Sequence, residues 1–168
     1  MVKRSGRIAL AAVLMAGSCS PVVARERVAF EADVRPGTIL VRTGERRLYL
    51  VLGDGSALRY PVAVGKPGKQ WFGSAHVDGK HVAPAWSPPA EVKRDNPRLP
   101  DIIPGGSPRN PMGVRALTLD RDEYAIHGTN RPDSVGSYAS YGCFRMHNSD
   151  ILDLFDRVEV GTPVLVTR

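Results

Sequence analysis

Cys143 lies in the stretch SYGCFRM, Ser140 to Met146, and is one of only 2 cysteines in 168 residues. A thiol attacks carbon as its thiolate, and free cysteine, with a pKa near about 8.5, is mostly protonated at neutral pH. A nucleophilic Cys143 therefore needs a base or a cation within reach, most often a histidine. His127 is the best placed of the 4 histidines: it ends the apolar run Tyr124-Ala125-Ile126 and opens HGTN. Gly128 lets the chain turn sharply there, so that its carbonyl can hold the imidazole by one ring nitrogen. Gly142 removes a side chain beside the thiol, and the N–H groups of so tight a segment can stabilise an oxyanion. Arg145 carries a planar fork suited to a substrate carboxylate.

Each of these residues also has a plainer explanation. Cys143 can be a buried small hydrophobe, His127 a hydrogen-bonded structural histidine, Gly142 a turn residue, and Arg145 half of an ion pair with an aspartate. A metal is the rival use of Cys and His. Cys143, His147 and His127 could be gathered into a zinc site, but neither C-x-x-C nor H-E-x-x-H is present. His147 reads as the approach to a helix, and His76 and His81 fall in a proline-rich stretch.

The elements that must position these residues are mostly strands. PGTILVRTGERRLYLVLGDGSALRYPVAVG, from Pro36, reads as a β-meander in which Leu48, Leu50 and Leu52 alternate with Arg47, Tyr49 and Val51. Gly53 to Ser56 supply a turn, and Pro61 marks an edge or bulged strand. Between Lys66 and Pro111 lie 9 of the 14 prolines, which predicts long loops with one short strand near Ser74–Val77. Sheet character returns in GVRALTLD, EYAIHG and TPVLVTR. One helix is expected after the cysteine: Ile151, Leu154, Phe155 and Val158 make one apolar stripe, with Ser149 as its cap, Asp150 in its first turn and Gly161 beyond its end.

Residues 1–24 read as an export signal. Lys3, Arg4 and Arg7 precede the apolar run Ile8 to Gly17, and Val22-x-Ala24 offers a cleavage site. That run is shorter than the roughly 20 apolar residues needed to span a bilayer. The rival reading lipidates Cys19, although Ala16 stands where such sites usually have leucine. Removing residues 1–24 leaves 144 residues, enough for one domain. Lys+Arg falls from 23 to 20 against 17 acidic residues, so the net charge drops from +6 to +3. With no basic run and few aromatics, nucleic-acid binding is excluded as a working reading. A lone cysteine in an exported chain points to a reactive thiol or an intermolecular bond.

IHGTN, Ile126 to Asn130, followed by SYGCFRM resembles the L,D-transpeptidase family with the YkuD-type catalytic domain. That family's pattern is histidine-glycine-threonine, a short loop, then serine-x-glycine-cysteine-x-arginine. PAWSPP, Pro84 to Pro89, PGGSPRNPMGVRALTL, Pro104 to Leu119, and VEVGTPVLV, Val158 to Val166, are similar to the family's flanks, so the resemblance runs from about Pro36 to Val166. It implies a mainly β chain, a YkuD-type β-sandwich with one short helix after the catalytic cysteine. The layout would be a signal at 1–24, a lead-in at 25–35 and the catalytic domain at 36–168.

By the same resemblance, Cys143 would attack the bond to the terminal D-alanine of a peptidoglycan tetrapeptide stem, with His127 as base and the Gly128 carbonyl orienting the ring. Ser140, Tyr141, Gly142 and Arg145 would orient groups, stabilise the oxyanion or bind substrate. A thioester acyl-enzyme would pass to the amine of a neighbouring stem, giving a 3→3 cross-link, or in some members to an outer-membrane lipoprotein. The implied location is the periplasm or cell envelope, and neither metal nor organic cofactor is implied. Two alternatives share the fold: a hydrolase releasing D-alanine or a lipoprotein, and a peptidoglycan-binding protein without activity. Two departures stand out. Tyr141 replaces a histidine common before the glycine-cysteine pair, and KQWFGSAHVDG, Lys69 to Gly79, replaces a threonine-proline-threonine-glycine segment. An activated Cys143 would be expected to alkylate faster at neutral pH than free cysteine.

Overall fold

The computed structural model describes residues 25–168, so the proposed signal and Cys19 lie outside the described residues. The first strands, β1 (Glu26–Ala29), β2 (Ile39–Arg42), β3 (Arg47–Val51) and β4 (Ser56–Pro61), pair antiparallel in the order β1-β4-β3-β2. The GDGS turn joins β3 to β4, with Leu52 N–H bonded to the Ser56 carbonyl at 2.8 Å. Pro61 pairs with Arg47 beyond the last β1–β4 pair, Glu26 with Arg59, so its missing N–H costs no ladder bond on that side.

The chain continues through β5 (Val64–Gly65), β6 (Gly73–Val82), α1 (Ala90–Asp95), β7 (Arg115–Leu119) and β8 (Ala125–His127). After a single 3-10 turn at Pro132–Ser134 come β9 (Tyr138–Ser140), β10 (Phe144–Arg145), α2 (Asn148–Arg157) and β11 (Pro163–Thr167). The main sheet is ordered β1-β4-β3-β2-β11-β6-β7-β8-β10, and β5 pairs with β9 apart from it. β6 joins the two halves: Gly73 to His76 pair with β11, whereas Val77 to Val82 pair with β7 across a register shift between Val77 and Gly79. Such a shift bends a strand and increases its twist, so the two halves close on one core. That core takes Ile39, Val41 and Leu48 from one half, Leu117, Ile126 and Phe144 from the other, and Ile151 and Leu154 from α2. This is the expected mainly β architecture with its helix after the cysteine.

Three details differ from the sequence expectations. β6 is a ten-residue strand where a short one was expected at Ser74–Val77. Its second half is mostly exposed or half-buried, so no apolar alternation announces it. α1 interrupts the proline-rich stretch, and it buries none of its residues, so no amphipathic stripe was there to read. Ser149 does not cap α2. The cap position is His147, without a side-chain capping bond, and the helix already begins at Asn148.

β2 and β3 are covered on both faces, which their apparent alternation did not reveal. Leu48 and Leu50 face the main core, while Leu40, Tyr49 and Val51 pack with Phe30 in a second cluster. Phe30 stacks on Tyr49 at 4.7 Å, and the Arg42 guanidinium sits 5.1 Å from the Phe30 ring centre. The residues before Pro36 thus form the outer cover of the meander.

Candidate active site

Parallel pairing of β8 with β10 brings the two sequence motifs together. Phe144 aligns with Ile126 and Arg145 with His127, and Met146 N–H bonds the His127 carbonyl at 2.8 Å. Aligned residues of neighbouring strands point to one face, and so do residues two apart. Cys143, one residue ahead of β10, therefore shares a face with Arg145 and His127. A second fastening, Ala63 N–H to the Arg145 carbonyl at 2.8 Å and Arg145 N–H to the Ala63 carbonyl at 3.0 Å, holds β10 from the other side. Cys143, His127 and Arg145 line one cavity of about 500 Å³, whose walls also include Trp86, Val92 and Met112.

His127 is buried at 4% exposure, and its Nδ1 lies 2.7 Å from the Gly128 carbonyl. A carbonyl only accepts, so Nδ1 carries the proton and Nε2 is left with its lone pair. Burial first and the neighbouring Arg145 charge second lower the His127 pKa to about 4, against the opposing pull of the Gly128 and Pro111 carbonyls. Burial likewise raises the Cys143 pKa, against the opposing pull of a backbone hydrogen bond from Ala125 and the Arg145 charge. The resting pair is thus a neutral thiol and a neutral imidazole. The raised thiol pKa argues against fast alkylation at neutral pH, because it leaves the half-buried Cys143 with less thiolate than free cysteine.

A Cβ at Gly128 would come within 2.2 Å of Asn148 Oδ1 and 3.2 Å of Ile151 Cγ2 and Val114 N, so a larger residue would displace the Asn148 side chain. Asn148, the first residue of α2, accepts from Thr129 N–H at 3.0 Å and donates to the Thr129 carbonyl at 3.1 Å. The helix therefore clamps the turn that carries His127. At the nucleophile, Gly142 adopts φ +127, and a Cβ would meet the Tyr124 ring at 2.3 Å. Its glycine is demanded by this close packing, a requirement beyond the substrate access read from the sequence. Ser140 Oγ accepts from Gly142 N–H at 3.1 Å and donates to the Cys143 carbonyl at 2.6 Å, stapling the loop around the thiol.

Arg145 makes no ion pair with a carboxylate among the described residues; burial lowers its pKa, and the Arg131 charge adds to that. The structural ion pair raised as its plainer role is thus not formed here. Tyr141 donates its hydroxyl to Asp95 Oδ2 at 2.6 Å, and Lys66 Nζ lies 3.7 Å from its ring centre and 3.6 Å from Asp95. The residue that departs from the family pattern therefore ties the nucleophile loop to α1. His147 occupies the cap position of α2 without a side-chain capping bond, and His76 and His81 lie exposed on β6. Among the described residues no three His, Cys, Asp or Glu side chains are grouped so as to hold a metal ion.

Trp71 was not singled out from the sequence as a site residue. Its Nε1 donates to the Gly142 carbonyl at 3.0 Å, its ring stacks on Tyr124 at 5.3 Å, and the Arg121 guanidinium lies 4.9 Å from its ring centre. The available signal was the KQWFG departure itself, an indole placed in a segment that otherwise carries small residues.

A family model described as the L,D-transpeptidase catalytic domain, YkuD, matches residues 36–166. The chain is 36% identical over 163 residues to the probable L,D-transpeptidase ErfK/SrfK of Escherichia coli, which is 92% of this chain and 51% of that protein. It is 33% identical to YkuD of Bacillus subtilis over 171 residues, 96% of this chain and 88% of that one. It thus spans about half the length of the E. coli relative. In structure it is similar to the catalytic domain of the E. faecium L,D-transpeptidase, with TM-score 0.61 and 22% identity over 81% of this chain and 100% of that chain.

Proposed function

This chain belongs to the L,D-transpeptidase family with a YkuD-type catalytic domain, and on that footing we propose that it is a cysteine acyltransferase acting on peptidoglycan tetrapeptide stems. The observation that carries this reading is the register of β8 and β10, which sets Cys143 and the Nδ1-protonated His127 on one face of one cavity. His127 Nε2 takes the thiol proton as Cys143 Sγ attacks the carbonyl carbon before the terminal D-alanine, so thiolate is formed only as it is consumed. The oxyanion is received by the Cys143 amide, because the Gly142 N–H is already given to Ser140. Collapse breaks the peptide bond, His127 returns the proton to the departing amine, and D-alanine leaves a thioester on Cys143. An acceptor amine then gives up its proton to His127, attacks the thioester carbon and expels the Cys143 sulfur, which is reprotonated.

Arg145, charged and without a carboxylate partner among the described residues, is suited to the carboxylate of the stem. Tyr141 acts by holding α1 over the cavity, and the acceptor is the side-chain amine of a second stem, giving a 3→3 cross-link. Residues 1–24 direct the chain to the periplasm, and no helix of the described residues is long and apolar enough to cross a membrane.

Mass spectrometry of products from the processed chain and purified disaccharide-tetrapeptide tests the reading. A cross-linked dimer with released D-alanine is expected, and Cys143→Ala should give neither. Tripeptide without dimer, with an excess of acceptor amine present, would overturn transfer in favour of hydrolysis. An unchanged tetrapeptide with folded protein would overturn the enzyme reading.

A further inference from the structure

The buried end of α2 holds a carboxylate that the described chain does not satisfy. Asp150 is 2% exposed, and among the described residues its Oδ2 has no hydrogen-bond partner. Leaving such an oxygen dry and unpaired is costly. Burial raises the Asp150 pKa, and the Arg25 backbone and guanidinium are among the groups that pull it back down; the Arg25 guanidinium pairs with Asp153 one turn along the helix. Asp153 in turn accepts from Tyr60 at 2.7 Å and from Arg157 at 2.9 Å. An amide offers a single N–H, enough for one carboxylate oxygen. An α-ammonium at the same place would offer three donors and a positive charge, enough for both.

Arg25 follows directly on Val22-x-Ala24, the small-residue pattern read as a cleavage site. We propose that hydrolysis of the Ala24–Arg25 bond creates an α-ammonium that docks on the buried Asp150 carboxylate and braces α2. Water adds across the peptide bond, leaving a carboxylate on Ala24 and an amine on Arg25 that is protonated at neutral pH. Asp150 thus serves as the receptor for the mature N-terminus. Asn148, two residues before it, clamps the turn of His127, so maturation stiffens the helix that supports the site. The charged groups around the docked amine are Asp150, His147, Asp153 and the Arg25 guanidinium, with Arg157 reaching it through Asp153. The inference concerns maturation and stands whether or not the enzyme transfers to an amine.

The full chain is exported from a host, recovered from the envelope, and compared with a chain carrying one serine inserted between Ala24 and Arg25, and with Asp150→Asn in both. Intact mass should place the mature N-terminus at Arg25. The insertion moves the amine by one residue and should lower Tm by about 4 °C or more at pH 7, with no such difference between the two Asp150→Asn chains. NMR titration of the α-amine should give a pKa raised about one unit or more above the usual 7.7–8.0. The advantage of the native N-terminus is then full below that usual range and lost as pH rises through the raised value. A mature chain starting elsewhere, including a lipidated Cys19, would overturn the inference. So would an insertion that changes neither Tm nor the amine titration, a result that can be read even if Asp150→Asn fails to fold.

Discussion

At the scale of single residues, the pairing of thiol and imidazole decides how the site works. With His127 lowered to about 4 and Cys143 raised, the two are uncharged across the neutral range. kcat/KM should therefore fall with acid as His127 protonates near pH 4, and hold across neutral pH, rather than rise with a thiolate titrating near 7. A pH profile with its acid limb between 6 and 7 would contradict this. Stability should follow the same group. His127 has a folded pKa below its unfolded value, so its contribution is full above about pH 6.5 and lost as pH falls towards 4. Denaturant unfolding across that window should show the slope, and a folded His127→Gln should flatten it. Cys143 should alkylate more slowly at pH 7 than free cysteine, and its rate should drop further if Arg145 becomes Met. An unchanged rate would remove Arg145 from the electrostatics of the thiol.

At the scale of elements, the site is held by parts that touch no reacting atom. Trp71→Phe keeps the ring and loses the hydrogen bond to the Gly142 carbonyl, so it should lower kcat several-fold while stability changes by about 1 kcal/mol. A kcat unchanged in a folded variant would show that the nucleophile loop needs no such tether. Tyr141→Phe should release α1 and quicken amide exchange at residues 90–95, since that helix has no buried side chain to hold it. Equal exchange in both chains would assign the fastening to Lys69 and Glu91 instead.

These supports mark where the sequence stopped being readable. Cys143 and His127 announced themselves by type and spacing, and the meander and α2 by period. Asn148 and the Tyr141–Asp95 contact left no such mark, and Trp71 only a departure from the family pattern, because each acts through a hydrogen bond to a segment far away in the chain. The second half of β6 and the whole of α1 were missed because their side chains carry too little burial to impose a period.

At the scale of the whole molecule, the sheet carries the main core on one face and, at β2 and β3, a second cluster on the other. The lead-in strand β1 pairs with β4, and Phe30 buries itself on Tyr49 outside the main core. Phe30→Ala should cost about 3 kcal/mol or more, measured by denaturant unfolding, although Phe30 lies outside the matched residues 36–166. A cost under about 1 kcal/mol would mean that residues 25–35 are an appendage rather than part of the fold.

The most direct test of the central claim is the intact mass of the processed chain quenched in acid during reaction with the tetrapeptide stem. The proposed chemistry predicts an adduct equal to the stem minus D-alanine, carried on the Cys143 peptide, absent in Cys143→Ala and formed far more slowly in His127→Ala. Release of D-alanine at full rate with no adduct on Cys143, or from the Cys143→Ala chain, would contradict it.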